Sequence, residues 1–258
     1  MPTFGKNIFF YGDSMKIYDK IAAPHPTGLV KKTITVAFLG DSVTQGCFEV
    51  YKNGENSVET VYEAKSAYSA KFKEFLNLLY PDAIIHIINA GISGDNSENG
   101  LNRMDEDVLK YRPDLVVVSY GLNDAGTFGA AGVGDYAARI KNIFIKAKNS
   151  GADVLYLTQN YMANELSVRI TDPFIKEIAN GCVKIQNEKI LKKYFEAGKA
   201  VAEEEGVAVV DGYAVWESLE RANVEVTELL ANRINHPVRE YHAYVAIKII
   251  EKILGIKA

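Results

Sequence analysis

Four short stretches of this sequence carry the residue types that acyl transfer to a hydroxyl group requires. They are GDSVTQG at residues 40–46, NAGISGDNS around Gly94, GLND around Asn123 and NHP around His236. Acyl transfer needs a hydroxyl nucleophile, a base with a pKa near neutrality and preorganised donors for the oxyanion of the tetrahedral intermediate. Ser42, His236, Gly94 and Asn123 match these parts in type.

The elements that must position these residues follow from the pattern of apolar runs. Short β-rich runs alternate with longer runs of helical periodicity, which is typical of a parallel sheet covered by helices on both faces. The predicted strands span residues 33–40, 82–91, 114–121, 152–160 and 207–216. The predicted helices span residues 64–81, 97–113, 136–151, 183–206 and 239–255. We therefore expect an α/β protein with a flavodoxin-like, three-layer α/β/α architecture and about five parallel strands.

The sequence predicts one main domain over residues 33–258, preceded by an extension over residues 1–32. No linker rich in proline or serine divides the five predicted βα units. The segment before residue 33 does not fit the alternation, because its MKIYDKIAAPHPTGLVKK stretch holds two prolines and little helical pattern. We interpret residues 1–32 as an edge strand or hairpin that packs on the main domain.

The predicted sheet would bring the four stretches to one rim. In an open parallel sheet, ligands bind outside the carboxyl ends of the strands. Ser42 follows the first predicted strand, Gly94 the second and Asn123 the third, and His236 lies just before the closing helix. The expected fold thus collects a nucleophile, a base and two oxyanion donors at the same edge.

Composition and charge argue against several other classes of protein. The 258 residues are 48% hydrophobic and 24% charged, with a formal net charge of -4 and scattered basic residues. A nucleic-acid partner and stable membrane insertion are therefore not expected. The amino terminus lacks the features of a secretory signal, and only two cysteines occur, so we expect a cytoplasmic protein.

Signatures of cofactor chemistry are missing from the sequence. It contains no HExxH motif, no GxGxxG after a strand and no GxxxxGK[ST] loop. We therefore expect no metal ion and no organic cofactor. The residues suited to acyl transfer predict a small-molecule ester as the binding partner. The sequence leaves the oligomeric state open, a homo-oligomer included.

The same stretches, in the same order, resemble the sequence blocks of the SGNH hydrolases, the GDSL-type esterases and lipases. GDSVTQG resembles the first block, residues 89–124 resemble the second and third blocks joined by their helix, and NHP resembles the fifth. The resemblance covers about residues 34–250. It implies the SGNH hydrolase fold, with Ser42 as the nucleophile, Gly94 and Asn123 as oxyanion donors and His236 as the base.

A second Gly-Asp-Ser sequence occurs at residues 12–14, in FFYGDSMK. Ser14 lacks the VTQG sequence that follows Ser42, and it lies one strand too early for the order of the family's blocks. We therefore predict that Ser14 is a turn residue after an edge strand. We also predict that Asp41 orients its turn and caps backbone donors rather than acting as an acid.

The chain departs from the family pattern where the triad's aspartate usually lies. Members of the family usually carry an aspartate three or four residues before the histidine, which orients the imidazole and stabilises its charged form. This chain has Arg233 and Asn232 at those positions. We expect His236 to be assisted by Asn232 or a backbone carbonyl, or by a carboxylate from elsewhere, with Glu228 the nearest upstream candidate.

The resemblance implies two-step acyl transfer through an acyl-serine intermediate. The polar rim and the absence of a long apolar lid segment favour short acyl groups, such as acetyl, on a carbohydrate or other small molecule. Hydrolysis of longer acyl chains, as by a lysophospholipase or thioesterase, is the competing enzymatic interpretation. The missing aspartate leaves a further alternative, a catalytically impaired protein that binds an acylated ligand.

Overall fold

The computed structural model describes residues 15–22 and 33–256, which contain seven strands and ten α-helices. The strands are β1 Thr33–Gly40, β2 Cys47–Gly54, β3 Ser57–Tyr62, β4 Ile84–Gly91, β5 Leu115–Ser119, β6 Asp153–Thr158 and β7 Ala208–Asp211. The helices are α1 Lys16–Ala22, α2 Ser42–Gln45, α3 Tyr68–Leu79, α4 Ser97–Asp107, α5 Leu122–Phe128, α6 Val133–Asn149, α7 Pro173–Asn187, α8 Ile190–Glu204, α9 Gly212–Arg221 and α10 Arg239–Ile253.

Five strands form one parallel sheet in the order β4-β1-β5-β6-β7. The central strands are nearly continuous apolar runs, TITVAFLG in β1 and LVVVS in β5, because both faces of a covered sheet are buried. Helices α3 and α10 pack together on one face, and α4, α6 and α8 pack in a row on the other. The structure therefore confirms the predicted three-layer α/β/α fold with five parallel strands.

Helical periodicity explains how the layers close over the sheet. Helix α6 buries Tyr136, Ile140, Ile143, Phe144 and Ala147, which recur at the spacing of one helical face. The chain runs from β1 outward to β4 and then back across to β5. The switch point of the sheet, where ligands bind in such folds, therefore lies beside the carboxyl end of β1.

Residues 16–22 form helix α1 rather than the edge strand or hairpin that we expected there. Ile17 and Ile21 lie one helical turn apart and are both buried in the main core. The backbone amide of Ile17 donates a hydrogen bond to Oδ2 of Asp153, at 2.7 Å. Two apolar residues one turn apart are too short a pattern to predict a helix, and the two prolines that follow argued against one. The predicted edge strand and Ser14, which follows it, lie outside the described residues.

The structure also contains an antiparallel hairpin, β2 and β3, that we did not predict. It is inserted between α2 and α3, immediately after the Ser42 turn. Its sequence, FEVYKNGENSVETVY, contains an Asn-Gly pair between β-rich runs, and this is the signal that could have identified it.

The predicted helix over residues 183–206 is instead the end of α7 and the whole of α8. The helix is interrupted between them at Lys189, whose backbone lies in the left-handed region with a φ of 56°. Helix α7 therefore begins earlier than expected, at Pro173, where the Asp172 carboxylate caps it by accepting hydrogen bonds from two backbone amides.

The described residues contain neither a membrane-spanning helix nor a cluster of metal ligands. No helix within residues 15–22 and 33–256 is both long and apolar enough to cross a lipid bilayer. In the same two ranges, no group of three or more His, Cys, Asp or Glu side chains is arranged to hold a metal ion. Cys47 and Cys182 are both free thiols.

Candidate active site

Ser42 is the first residue of α2, a four-residue helix that follows directly from β1. Asp41 caps this helix as predicted, because its Oδ1 accepts a hydrogen bond from the amide of Val43 at 3.0 Å. Gly40 has no room for a side chain, since a Cβ there would lie 2.6 Å from the carbonyl oxygen of Ser119 on β5. The turn is therefore packed directly against the neighbouring strand, which fixes the position of the Ser42 hydroxyl at the rim.

The Ser42 hydroxyl lies in hydrogen-bond contact with His236. Oγ of Ser42 and Nε2 of His236 are 2.9 Å apart. On the other side of the ring, Nδ1 lies 2.9 Å from the carbonyl oxygen of Phe48. A carbonyl oxygen can only accept a hydrogen bond, so Nδ1 carries the proton and Nε2 presents its lone pair to the serine. This is the tautomer that a general base for Ser42 requires.

Burial sets the charge of this imidazole. Ser42 and His236 are each only 5% exposed. Burial lowers the pKa of His236 from 6.5 to about 4, and the hydrogen bond to Phe48 opposes this shift in part. The ring is therefore neutral at pH 7 and able to accept a proton. A carbonyl carries only a partial negative charge, so it stabilises a protonated ring less than a carboxylate would.

Asn232 makes no hydrogen bond to the imidazole, although we named it as a candidate to assist His236. Its Oδ1 instead accepts hydrogen bonds from the backbone amides of residues 234–236, at 2.9 to 3.0 Å. Asparagine commonly holds turns in this way. Asn232 therefore shapes the turn that presents His236 and leaves the ring nitrogen to another group.

Glu228 is also occupied elsewhere. Its Oε2 forms ion pairs with Arg233, at 3.2 Å, and with Arg169, at 3.5 Å. Arg233 stands where the family's aspartate usually lies, and one of its guanidinium nitrogens donates to the carbonyl of Leu230. Of the three options that the sequence left open, the structure places a backbone carbonyl, that of Phe48, against Nδ1.

Gly94 lies in a loop, residues 92–95, that follows β4 and is exposed except at Asp95. Its φ is 79°, and a Cβ there would meet no atom within 4 Å, so backbone conformation rather than lack of space favours glycine. The adjacent amide of Ser93 donates to Oε1 of Gln45 at 2.7 Å, which ties the loop to α2. Within the described ranges, the amides of Gly94 and Ser42 donate to no acceptor, so both are available to a ligand.

Asn123 is the second residue of α5 and faces the same loop. Its Nδ2 donates a hydrogen bond to the carbonyl oxygen of Asp95, at 2.8 Å. An amide nitrogen carries two hydrogens, and this bond engages one of them. The structure thus brings all four predicted residue types to one rim, with the second hydrogen of Asn123 left to a ligand.

Gln159, which we did not predict as a site residue, joins the Ser42 turn to α5. Its Nε2 donates to Oδ2 of Asp41 at 2.8 Å, and its Oε1 accepts from the amide of Leu122 at 3.0 Å. Burial raises the pKa of Asp41 from 3.8 to about 7, against the lowering effect of the hydrogen bonds from Gln159 and Val43. The position of Gln159 directly after β6 is the sequence signal that could have identified it.

Arg103 on α4, also not predicted, ties the 92–95 loop to the strand ends. Its Nη2 donates to the carbonyl of Gly40 at 3.0 Å, and its Nε donates to the Asp95 carboxylate at 2.8 Å. Tyr120, directly after β5, donates to the same carboxylate at 2.9 Å. The residue that follows Gly94 is thereby held by two separate elements of the main domain.

Comparison with known proteins identifies one family across most of the chain. Residues 38–243 match the model of the GDSL-like Lipase/Acylhydrolase family. An acetylxylan esterase of Geobacillus stearothermophilus is 34% identical over 87 residues, which are 34% of this chain and 38% of that protein. An arylesterase of Vibrio mimicus is 32% identical over 87 residues, which are 31% of this chain and 42% of that protein. The alignments thus span less than half the length of these curated relatives.

Solved structures share the fold over a larger part of the chain. The crystal structure of an acetylxylan esterase from Geobacillus stearothermophilus superposes with a TM-score of 0.62 at 22% identity, over 85% of this chain and 94% of that one. A two-domain esterase active on acetylated mannans superposes with a TM-score of 0.61 at 20% identity, over 88% of this chain and 50% of that one. At these identities the likeness establishes the fold.

Proposed function

Because the chain belongs to the GDSL-like lipase/acylhydrolase family, we propose that it hydrolyses short-chain acyl esters of a carbohydrate or other small molecule through an acyl-Ser42 intermediate. One observation carries the proposal. Oγ of Ser42 lies 2.9 Å from Nε2 of His236, and the carbonyl of Phe48 holds the proton on the other ring nitrogen. A hydroxyl paired with the free lone pair of an imidazole is the arrangement that activates serine as a nucleophile.

The proposed reaction proceeds in two steps. In the first, Nε2 of His236 takes the hydroxyl proton as Oγ of Ser42 bonds to the ester carbonyl carbon. The oxyanion accepts hydrogen bonds from the amides of Ser42 and Gly94 and from the second Nδ2 hydrogen of Asn123. Collapse of the intermediate breaks the bond to the alcohol oxygen, which takes the proton from Nε2. Water then attacks the acyl group in the same manner, which releases the carboxylic acid and regenerates Ser42.

Acetyl esters of saccharides are the substrate class that the relatives favour. Structural neighbours include an acetyl-xylooligosaccharide esterase and an esterase active on acetylated mannans. In this chain the 92–95 loop beside Ser42 is largely solvent-exposed, with Ile92 45% exposed. This exposed loop supports a bulky polar alcohol as the leaving group.

The proposal is tested by comparing hydrolysis of p-nitrophenyl acetate, p-nitrophenyl octanoate and acetylated xylooligosaccharides by the purified protein. A fluorophosphonate probe, located by mass spectrometry, identifies the nucleophile. We expect acetyl esters to be turned over faster than octanoyl esters, with the label on Ser42. Ser42→Ala and His236→Ala should each lower kcat by about 10⁴-fold or more.

Ser14→Ala is the matched control, because Ser14 lies in the other Gly-Asp-Ser sequence. It should retain wild-type activity and labelling. Faster turnover of the octanoyl ester would indicate a long-chain acylhydrolase instead. A folded wild type that neither turns over an ester nor takes the label would instead be a protein that binds an acylated ligand.

A further inference from the structure

We propose that the β2–β3 hairpin orients the catalytic imidazole and that Arg239 is the positioning residue that holds the hairpin in place. The inference rests on the proposed function, because it assigns a role to groups that act through His236. It deepens that function by identifying what replaces the aspartate of the usual triad. Arg239 acts through the hairpin and not on the ester itself.

A β-bulge explains why a backbone carbonyl is free to face His236. In the β2–β3 ladder Cys47 pairs with Tyr62 and Val50 pairs with Thr60, so residues 48 and 49 together stand opposite one residue of β3. Bulges turn backbone groups out of the regular ladder and are frequent beside active sites. The Phe48 carbonyl, inside the bulge, lies 2.9 Å from Nδ1 of His236.

Arg239 joins both strands of the hairpin at the bulge. Its Nη1 and Nη2 donate to the two carboxylate oxygens of Glu49, the second bulge residue, at 2.7 and 2.9 Å. Its Nε donates to Glu63, directly after β3, at 2.9 Å, and Nη2 donates to the second oxygen of Glu63. The planar guanidinium thus makes two bidentate pairs, a geometry that lysine cannot reproduce.

The bulge is also held through the Phe48 side chain. This side chain is fully buried, and the guanidinium carbon of Arg239 lies 4.3 Å from its ring centroid. The imidazole of His242 packs against the same ring, with centroids 4.9 Å apart. Both side chains of the bulge are therefore fixed by one arginine, so the carbonyl between them has little freedom to turn away.

Arg239 is suited to this role by its place in the chain. It begins α10, three residues after His236, so the base and the hairpin are anchored to the same short segment. Its two bidentate pairs lower the pKa of Glu63 to about 2 and also lower that of Glu49. Both carboxylates therefore stay charged, and the cluster stays assembled, throughout the pH range in which the imidazole must act.

The test measures the imidazole tautomer directly, by ¹⁵N NMR of the His236 ring nitrogens, together with kcat and KM for p-nitrophenyl acetate. In the wild type we expect Nδ1 to be protonated. In Arg239→Met we expect a mixture of tautomers and a kcat that is roughly 10- to 100-fold lower with KM changed less than about twofold. The kcat and tautomer ratio of Arg239→Lys should fall between those of wild type and Arg239→Met, because lysine keeps the charge but cannot form the bidentate pairs.

Lys248→Met is the matched control, because Lys248 lies on the same helix, pairs with Glu251 at 2.7 Å and lies over the ring of Tyr244. It should leave the tautomer and kcat unchanged. If Arg239→Met does not fold, Glu49→Gln and Glu63→Gln each remove one charge from the cluster and should move both readouts in the same direction by smaller amounts.

Folded variants with a lower Tm but an unchanged tautomer and kcat would overturn the inference, because a purely structural ion cluster would behave in that way. A wild type with Nε2 protonated would also overturn it. The NMR measurement needs no substrate, so its result stands apart from the proposed function. That function would fail separately, if the wild type showed neither ester turnover nor fluorophosphonate labelling.

Discussion

The site has a serine half, formed by the Ser42 turn, the 92–95 loop and Asn123, and a histidine half, formed by His236 and the β2–β3 hairpin. These two halves are held in place by different kinds of interaction. Around Ser42, strand ends pack directly on one another, Asp41 is fully buried, and the side chain of Arg103 is 15% exposed. Around His236, a bulged hairpin is held by ion pairs of Arg239 whose side chains are between 34% and 44% exposed. Close backbone packing therefore holds the serine half, and partly exposed ion pairs hold the histidine half.

This difference follows from where each half lies in the fold. The serine half lies at the strand ends of the central sheet, so the packing of the core determines its geometry and little change is tolerated there. The histidine half relies on the β2–β3 hairpin, which lies outside the five-stranded sheet. The partner of the imidazole therefore comes from outside the sheet that positions Ser42.

Among changes that leave Ser42 and His236 in place, the largest effect is expected from Asn123→Ala, on the serine half. The change removes an oxyanion donor and the hydrogen bond to Asp95, so kcat should fall by about 100-fold. Asn187→Ala is the control, because that amide also donates one hydrogen bond to a backbone carbonyl, that of Asn164, at 2.9 Å. Steady-state kinetics with p-nitrophenyl acetate check the prediction, and equal activity of the two variants would contradict it.

On the histidine half, we expect activity to persist into acid. The base must be neutral, and the pKa of His236 is lowered to about 4, so activity should be lost only as the pH falls through about 4. For a histidine with an ordinary pKa of 6.5, the fraction in the neutral form would fall about 25-fold between pH 7 and pH 5. The pH profile of kcat/KM distinguishes these cases, and a midpoint between 6 and 7 would show that the imidazole is more hydrated than the structure indicates.

Gln159→Leu tests the buried hydrogen bonds of the serine half. The change leaves the Asp41 carboxyl and the Leu122 amide without their partner, which should lower the free energy of unfolding by about 2 kcal/mol and kcat by about tenfold. Gln186→Leu is matched in burial and also makes two hydrogen bonds, to the Met162 amide and to a tyrosine hydroxyl. Urea unfolding and kinetics should show similar destabilisation in both variants, with loss of kcat only in Gln159→Leu.

Titratable groups in the two halves should make the free energy of unfolding depend on pH in opposite directions. The raised pKa of Asp41, about 7, contributes stability that is present below 3.8 and lost as the pH rises through 7. The lowered pKa values of His236 and His242, about 4 and about 3, contribute stability that is present above 6.5 and lost as the pH falls. Asp41→Asn removes only the first contribution. Its free energy of unfolding, relative to wild type, should therefore rise with pH between 4.5 and 6.5, by at most about 1.4 kcal/mol per pH unit.

Urea unfolding at several pH values measures this slope. His242→Phe serves as the opposite control, because it removes a histidine contribution and leaves Asp41 in place. A relative stability of Asp41→Asn that does not change with pH would mean that Asp41 titrates at its ordinary pKa and is not shielded from water.

The smallest effect is expected from salt. The ion pairs of Arg239 are partly exposed and therefore partly screened, so raising NaCl from 0.1 to 1 M should lower kcat by less than about twofold. The effect should be absent in Arg239→Met, which has no ion pairs to screen. An equal salt effect in both proteins would place its origin outside the hairpin cluster.

The sequence predicted best those features that depend on local residue patterns and on the order of elements along the chain. The five strands of the sheet were identified because continuous apolar runs between helical segments are typical of a covered parallel sheet. Ser42, Gly94 and Asn123 were placed at one rim because parallel strands end at the same edge. The β2–β3 hairpin was missed, since its half-exposed strands lack the apolar runs on which the other strands were recognised.

The assignment of roles around His236 shows where such reasoning stops. Asn232 was a sound candidate by distance along the chain, but its side chain is used by three backbone amides of its own turn. Gln159 and Arg103 act across 118 and 63 positions of sequence, and no local pattern links them to the residues they hold. Glu228 lies near in sequence but pairs with arginines.

The sequence by itself determined the α/β class, the family and the four residue types at the rim, because these depend on side-chain chemistry and on the periodicity of apolar residues. Only the tertiary structure decided what faces the second nitrogen of the imidazole. Every residue has the same carbonyl, so the one that contacts His236 leaves no mark in the sequence. Its selection depends on the bulge in β2 and on an arginine 190 positions away from Glu49, and both come into place only when the chain is folded.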